Sequence, residues 1–131
     1  TLSLAFDYGE DLLNPKEGDV CFDRNYTLGK FQNDPYQRLA IPLVGHSYFP
    51  KTRFDFYIQK ILKEEEISIQ DFFIKDFQEI SIEGGFRNSL IQCNNFEINN
   101  DTVKFNLSRG SYATIVLREI LKPENPLENG F

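Results

Sequence analysis

The sequence predicts a mixed α+β fold, and three stretches of the chain indicate it. Apolar and polar residues alternate over Thr102–Leu107, which is typical of a half-buried strand. Apolar residues at helical spacing follow directly, and others recur at that spacing within Thr52–Glu65. Leu39–Val44 is a continuous apolar run of strand length. Strands and helices therefore succeed one another along the chain.

A short helix and a strand are predicted at the N-terminal end. Thr1–Asn14 carries apolar residues at helical spacing, but Gly9 interrupts them, so the helix is short or frayed. A turn over Asn14–Gly18 leads into a strand, Val20–Phe22. Asp23–Tyr36 is polar and broken by glycine and proline, and is interpreted as a loop with one helical turn.

The middle of the chain predicts one further strand and two helices. Pro42 lies inside the Leu39–Val44 run, which implies an edge position or a bulge. His46 follows with no acidic or cysteine neighbour, so it is interpreted as a loop residue without a catalytic role. The main helix covers Thr52–Glu65, and Ser68 with Asp71 forms a capping box that starts a short second helix.

Residues 86–122 are predicted to form an antiparallel β-meander capped by a helix. Two turns rich in asparagine separate its three strands, which are Phe86–Cys93, Phe96–Ile98 and Thr102–Leu107. The tail, residues 123–131, is rich in Pro, Asn and Glu and is expected to lie loose on the surface.

A glycine-serine turn joins the last strand to the last helix. Gly110 can supply any backbone angle that this turn needs, and Ser111 is a fair helix N-cap. A strand, a turn and a helix N-terminus leave several amide N–H groups unpaired, which makes a site for a phosphate or a carboxylate.

The charge of the chain is acidic overall but unevenly distributed. The 131 residues carry a net charge of −6, which alone argues against a nucleic-acid partner. Residues 1–84 hold 9 basic and 15 acidic side chains, whereas residues 85–122 hold 5 basic and 3 acidic ones. The small basic excess therefore falls in the segment that contains the turn.

Several function classes find no support in the composition. No apolar run approaches the roughly 20 residues of a membrane span, and no secretory signal is present, so a cytoplasmic protein without a membrane partner is expected. Cys21 and Cys93 are interpreted as reduced residues. Glu64, Glu65 and Glu66 would point in different directions on a helix, so no metal site is predicted. The chain starts at Thr1 and contains no methionine, which indicates processing or a piece of a longer protein.

The segment Ser108–Lys122, SRGSYATIVLREILK, resembles the closing motif of the TruD family of tRNA pseudouridine synthases. In that motif a strand runs into Gly-Ser-Tyr/Phe-Ala-Thr and then into a helix bearing Leu-Arg-Glu. The matching positions are Gly110, Ser111, Tyr112, Ala113, Thr114, Leu117, Arg118 and Glu119. Weaker likenesses lie at Glu17–Val20, at Ile41–Gly45, at Glu64–Phe72 and at Arg87.

The resemblance implies a domain organisation and a chemistry. Residues 1–17 would end a preceding core segment, 18–85 would form an inserted α/β domain, 86–122 would form the C-terminal part of the catalytic core, and 123–131 the tail. The implied reaction isomerises uridine to pseudouridine in tRNA without cofactor or metal. A flipped base detaches from its ribose with the help of an aspartate, rotates and re-bonds through carbon.

The family's aspartate segment, Lys-Asp-x-x-Ala-x-Thr-x-Gln, has no counterpart in this chain. No catalytic residue is therefore assigned, and the chain is expected to be inactive without the N-terminal half of the core, on the same or a separate chain. The alternative is a non-catalytic RNA-binding or scaffold module that keeps the fold of the inserted domain.

The resemblance implies an RNA-binding set, which comprises Arg87, Arg109, Gly110, Ser111, Tyr112, Thr114 and Arg118. Arg87 either contacts RNA phosphate or the displaced base, or forms an ordinary salt bridge at a strand end. Tyr112 either helps to hold the anion or is a core aromatic residue. Thr114 would support the turn, and for Arg118 and Glu119 a role in holding the helix by pairing with neighbours is favoured over RNA contact.

Overall fold

The fold was derived from a computed structural model that describes the backbone of residues 2–130 and the side chains from Leu4 onward. The chain divides into two compact units, one reaching to Leu90 and the other starting at Ile91. Both units combine helices with antiparallel strands. The predicted α+β class is therefore confirmed.

The first unit is built on a four-stranded antiparallel sheet with the strand order β2-β1-β3-β4. Its strands are β1 (Val20–Phe22), β2 (Leu28–Lys30), β3 (Arg38–Leu43) and β4 (Gly85–Asn88). Its α-helices are α1 (Leu2–Asp7) and α2 (Asp55–Glu64). Two short 3₁₀ helices follow α2, at Ile69–Phe72 and Gln78–Ile80.

The core of the first unit lies between β3 and α2. Leu39 and Ile41 of β3 pack in one cluster with Phe54 and Ile58, which lie at the start of α2 and in its second turn. Ala5 of α1 joins the same cluster. The apolar face predicted for α2 is thus the face that is buried, and removing it from water stabilises the unit.

Three sequence predictions in the first unit are confirmed, although bounds shift by a few residues. Val20–Phe22 is a strand, and α2 lies within Thr52–Glu65. The capping box also forms, because Ser68 N and Ser68 Oγ both donate hydrogen bonds to Asp71 Oδ2, at 2.6 and 2.8 Å. Pro42 has a strand neighbour only on the β4 side, because β1 pairs with β3 through Arg38 and Leu39 alone. This local edge accommodates the missing N–H of the proline.

Two predictions are wrong in part. Asp23–Tyr36 contains the strand β2, which was missed because three residues of sequence Leu-Gly-Lys show no alternation. The strand predicted over Phe86–Cys93 ends at Asn88, where the Asn88 Oδ1 accepts a hydrogen bond from Leu90 N (3.1 Å) and turns the chain. This strand pairs with β3 rather than with the next strand in sequence, so it does not belong to a meander.

Residues 46–83 leave the sheet after β3 and return at β4 through a narrow neck. His46 N donates to Ile82 O (2.9 Å) and Ser47 N donates to Glu83 O (3.0 Å). At the neck the Cα of Gly45 faces the backbone of Glu83 and Gly84, and a Cβ on Gly45 would overlap it. Glycine at this position is therefore required by the close approach of two backbones.

A buried charge cluster joins three segments of the first unit. Asp19 is only 3% exposed, and its Oδ1 lies 3.2 Å from Nε of Arg53. The same guanidinium contacts Oε2 of Glu10 (3.1 Å) and donates to Asp11 O (2.7 Å). Tyr57 Oη donates to the other carboxylate oxygen of Glu10 (3.1 Å).

The second unit is a β-hairpin followed by a helix. Strand β5 (Cys93–Asn99) pairs with β6 (Thr102–Leu107), and α3 covers Ala113–Leu121. The meander predicted for residues 86–122 is thus a two-stranded hairpin, and the predicted turn at Asn94–Asn95 is a register shift within β5. Asn95 takes the left-handed conformation there, with φ of 52°.

The apolar face of α3 is largely accessible in this chain. Val116 and Leu117 are half-buried, and no residue of α3 is buried among those that the structure describes. Ile115 and Leu121 are exposed, the latter by 63%.

Both cysteines are free, with Cys21 buried and Cys93 half-buried. Within residues 2–130 no helix has the length and apolarity needed to cross the bilayer.

We expect Gly45→Ala to destabilise the first unit by about 1–3 kcal/mol, because the new methyl group overlaps backbone that has no room to yield. Gly29→Ala is the matched control, since a Cβ at Gly29 meets nothing within 4 Å. Urea denaturation of the two variants measures the difference. Equal midpoints for both variants would contradict the close approach at the neck.

Acid is expected to destabilise the first unit through Asp11. Hydrogen bonds from the side chain and backbone of Asn14, and from Leu13 N, lower the pKa of Asp11 from 3.8 to about 2. A carboxyl whose folded-state pKa is depressed stabilises the fold above its unfolded pKa, and that contribution is lost as the pH falls through the folded value. The loss should therefore develop between about pH 4 and pH 2.

Asp11→Asn tests this origin of the acid sensitivity. The variant should be less stable than the parent at pH 7 and should lose less stability between pH 4 and pH 2, as measured by urea midpoints. Parallel pH profiles for parent and variant would assign the acid sensitivity to other carboxyls.

Candidate functional site

The turn between β6 and α3 is held by two serines and one glycine. Ser111 N donates to Ser108 O (3.1 Å), and the two side-chain oxygens lie 3.0 Å apart. Gly110 has φ of +87°, a conformation that other residues rarely adopt. The turn is therefore a compact unit that presents its neighbours Arg109 and Tyr112 to the outside.

The N-terminus of α3 begins one residue later than predicted. Tyr112, not Ser111, is the N-cap, with extended φ and ψ of −106° and 118°. Ser111 is wrong as a cap because its hydroxyl pairs with Ser108 inside the turn. Tyr112 makes no side-chain capping bond, and Ile115 N donates to Tyr112 O (3.2 Å), so the amide groups of Ala113 and Thr114 are the ones left to solvent or to a ligand.

The side chains around this N-terminus are accessible. Tyr112 is 66% exposed, so within this chain it is not a core aromatic residue. Arg109, Thr114 and Arg118 are exposed, and Ser111 is half-buried. No ion pair of Arg109, Arg118 or Glu119 is found within residues 2–130, so the predicted pairing of Arg118 and Glu119 with neighbours is not seen there.

Arg87 lies in the first unit, on β4. It is directly opposite Ile41 of β3 and is exposed. In the described part of the chain its guanidinium makes no ion pair, which removes the interpretation as an ordinary strand-end salt bridge there. Its charge is therefore available to an anion.

These groups have the chemistry of anion binding. The first turn of a helix offers N–H donors and a partial positive charge, and Arg109 lies just before it in the second unit, whereas Arg118 lies in the last turn of α3. A phosphate is the anion that guanidinium groups and backbone amides together bind best. Over residues 2–130 no three His, Cys, Asp or Glu side chains come together as metal ligands.

A second cluster of cationic and aromatic side chains was not predicted from the sequence. The guanidinium of Arg24 lies 3.0 Å from the ring centroid of Tyr36, within the stretch that was interpreted as a polar loop. The available signal was the occurrence of two tyrosines and three basic residues between positions 24 and 38. The glycine and proline residues in the same stretch favoured its interpretation as a loop, so these side chains were not considered as a cluster.

Comparison with known proteins gives a consistent result. The family model described as "tRNA pseudouridine synthase D (TruD)" matches residues 2–120. A relative from Pyrobaculum islandicum, named "Probable tRNA pseudouridine synthase D", is 32% identical over 124 residues, which are 92% of this chain and 30% of that protein. A relative of the same name from Thermoplasma volcanium is 37% identical over 94 residues, 71% of this chain and 23% of that protein.

A solved structure shares the fold. The crystal structure of the Methanosarcina mazei protein assigned as tRNA pseudouridine synthase D matches with a TM-score of 0.67 and 27% identity, covering 97% of this chain and 36% of that one. The chain thus spans about a third of the length of that protein and of the Pyrobaculum islandicum relative.

We expect the turn at Gly110 to tolerate few residues. Gly110→Ala should destabilise the second unit by about 1–2 kcal/mol, because φ of +87° brings a Cβ against the following carbonyl. Gly110→Asn should cost less, since asparagine adopts left-handed conformations more readily. Amide hydrogen exchange across β5 and β6 measures both effects, and an alanine variant as protected as the asparagine variant would contradict the assigned backbone.

Proposed function

The chain belongs to the tRNA pseudouridine synthase D (TruD) family, and from this membership we propose that it forms the C-terminal portion of an enzyme that isomerises uridine to pseudouridine in tRNA. The match of the family model over residues 2–120 is the observation that carries the proposal. The fold shared with the Methanosarcina mazei protein supports it. We place the chain in the cytoplasm, where it would meet its tRNA substrate.

In this proposal the chain contributes parts of two domains. Residues 18–85 belong to the inserted domain, 86–122 to the catalytic core, 1–17 to the core segment before the insertion, and 123–131 to the tail. Strand β4 crosses the proposed boundary, since Gly85–Asn88 pairs throughout with β3. The strand would therefore tie the inserted domain to the point where the chain re-enters the core.

The proposed role of this chain is to bind and orient RNA. The exposed first turn of α3 and Arg109 would bind a backbone phosphate, and Arg87 would contact a phosphate or the displaced base. Tyr112, exposed beside that turn, offers a ring face on which a base can stack. Such fixed contacts promote the reaction by holding the flipped nucleotide in place.

The reactive carboxylate would come from the N-terminal half of the core. That aspartate begins the detachment of the base from its ribose, and the base then re-bonds through carbon. No cofactor or metal is assigned. The chain by itself would bind RNA without converting it, which is also the behaviour expected of the alternative, a non-catalytic RNA-binding or scaffold module.

Complementation separates the two functions. This chain is mixed with a separately produced N-terminal half of the core, and pseudouridine in tRNA is measured by mass spectrometry after chemical labelling. We expect product in the mixture and none from either piece alone. RNA binding by this chain without product in any mixture would favour the non-catalytic module.

Arg87→Gln probes the assigned contact in a titration that measures the affinity of this chain for tRNA. We expect tRNA affinity to fall on the order of ten-fold, because a charge-assisted bond to phosphate is lost. The free energy of unfolding should change by less than about 0.5 kcal/mol, because Arg87 is exposed. Lys63→Gln, an equal charge change at an exposed site of α2, is the control, and an equal loss of affinity in both variants would contradict a specific role for Arg87.

A further inference from the structure

One face of the first unit's sheet carries cations and aromatic rings without acidic residues among the paired strand positions. Phe22 of β1 lies opposite Leu28 of β2 and Arg38 of β3, and Val20 lies opposite Lys30. Directly opposed residues of antiparallel strands project from the same face. Lys30, Leu28, Phe22 and Arg38 therefore share one face.

The other face at this end of the sheet is buried. Cys21 lies opposite Gly29 and Leu39, and both Cys21 and Leu39 are at most 1% exposed. The face with Phe22 is the accessible one: Leu28 is 44% exposed, and Lys30 and Arg38 are exposed. We call this face the outer strip, and it comprises Phe22, Arg24, Leu28, Lys30, Tyr36 and Arg38.

The outer strip ends in a stacked pair. Arg24 follows Phe22 by two residues, and its guanidinium lies 3.0 Å from the ring centroid of Tyr36. Tyr36 remains 50% exposed although the guanidinium lies over one of its ring faces, so the stacked pair still presents a surface to solvent. Such a surface is one on which a nucleotide base can stack, with cation–π support from the arginine.

The cations of the outer strip are not paired directly with neighbouring carboxylates. Among the residues that the structure describes, Arg24, Lys30 and Arg38 form no ion pair. The nearby carboxylates bind their own backbone instead. Asp23 Oδ1 accepts hydrogen bonds from Asn25 N and Thr27 N (2.8 and 2.9 Å), and Asp34 Oδ1 accepts one from Tyr36 N (2.8 Å).

Tyr26 stands next to the outer strip at the tip of the β1–β2 hairpin. Tyr26 N donates to Asp23 O (3.1 Å), and Tyr26 has φ of +59°, the position of such turns that usually holds glycine or asparagine. A tyrosine is conformationally costly there, and yet the side chain is 61% exposed and gains little from packing. The stability of the fold therefore does not explain a tyrosine at this position, and we expect its side chain to bind a partner.

We propose that the outer strip binds a short single-stranded segment of RNA, with bases stacked on Tyr36 and Tyr26 and with phosphates on Arg24, Lys30 and Arg38. Exposed ring faces interleaved with unpaired cations match single-stranded RNA better than a protein partner, because every base offers a face for stacking and every linkage a negative charge. The proposal rests on the proposed function in taking RNA as the partner, and it adds a contact surface outside the implied RNA-binding set.

A cleft beside the outer strip offers room for further contacts of the same segment. Its volume is about 400 Å³, and Phe31, Asp34, Pro35 and Arg38 are among its lining residues. Arg38 donates to Pro35 O and Gln37 O (both 3.1 Å), which fixes its guanidinium at the border between cleft and strip. A base or a ribose that leaves the stack beyond Arg38 would enter this cleft.

The test measures binding of the full chain to a fluorescein-labelled oligouridylate of about ten nucleotides, a length within the site sizes of such surfaces. Fluorescence anisotropy is recorded over a range of salt concentrations. We expect Tyr36→Leu to weaken binding about five-fold or more through lost stacking. The logarithm of the binding constant falls linearly with the logarithm of the salt concentration, and each phosphate contact on a single strand contributes about 0.7 to the steepness of that line. Arg24→Gln combined with Lys30→Gln should therefore make the line less steep by about 1.4.

The matched control is Lys60→Gln combined with Lys63→Gln. It makes the same change in net charge on α2, where Lys60 also lies over an aromatic ring, that of Tyr8, at 5.2 Å from the centroid. The control should keep the parent's affinity and salt slope. Equal losses in the control and in the outer-strip variant would overturn the proposal, as would absence of binding by the parent.

Tyr26→Gly separates binding from folding. Glycine relieves the left-handed backbone, so the variant should unfold at a higher urea concentration than the parent and yet bind the oligouridylate more weakly. A merely structural role for Tyr26 would not raise stability and lower affinity together. Unchanged affinity of both tyrosine variants would overturn the proposal. It would also be overturned if the two variants weakened the binding of a duplex RNA of the same length as much as they weaken the binding of the oligouridylate.

The outcome is independent of the complementation assay. If pseudouridine forms in the mixture but the outer-strip variants bind like the parent, the outer strip is overturned and the proposed function stands. If the outer strip binds RNA as expected but no mixture forms pseudouridine, the proposed function is contradicted and the outer strip stands.

Discussion

The first unit depends on the pairing of one buried carboxylate with one nearly buried guanidinium. Asp19 is 3% exposed and the side chain of Arg53 is 11% exposed, so neither charge is solvated by bulk water. Removing one partner of such a pair strands the other and typically costs about 3–5 kcal/mol. Because Arg53 also contacts Glu10 and Asp11, the pair fixes β1 and α2 relative to the segment after α1. The outer strip is built around β1, so its geometry depends on this pair.

An acidic chain with RNA as its proposed partner must separate its charges in space, and the first unit does so. Several of its carboxylates are engaged by their own surroundings: Asp19 and Glu10 by Arg53, and Asp11, Asp23, Asp34 and Asp71 by nearby backbone amides. The arginines assigned to RNA, in contrast, form no ion pairs in the described part of the chain. The net charge of −6 is therefore a poor guide to the field that an approaching phosphate meets.

Periodicity predicted the elements that carry their apolar residues on one side. Strand β6 and helices α2 and α3 were found because their apolar residues recur at the spacing of one face. Strand β2 has three residues and no buried side chain, so it carries no pattern to detect. The Ser111 cap was misplaced because the Ser111 hydroxyl pairs with that of Ser108 inside the turn (3.0 Å). The ion pair of Arg53 with Glu10 joins residues 43 positions apart, and the partner depends on tertiary packing that no local pattern encodes.

The candidate RNA contacts divide in the same way. The turn at Gly110 could be predicted because glycine readily adopts the special backbone angles of such turns, and the structure gives φ of +87°. The stack of Arg24 on Tyr36 could not, because it follows from strand register across β1 and β3. Resemblance to a family pointed to residues of the closing motif, whereas the outer strip emerged only from three-dimensional neighbours.

The neck at Gly45 and Gly84 also bears on how the chain can vary. Backbone hydrogen bonds close the excursion of residues 46–83 at its base, and α2 within it packs on β3. The pairing of β3 with β4 therefore does not depend on the length of the chain after α2. The end of that excursion, from Glu65 to Ser81, has no buried residue and touches the core only through partly buried Ile69 and Phe72. Insertions or deletions there would add only a small loop-closure entropy. This part of the chain is where the protein can gain a lineage-specific appendage while β3 and β4 stay in register.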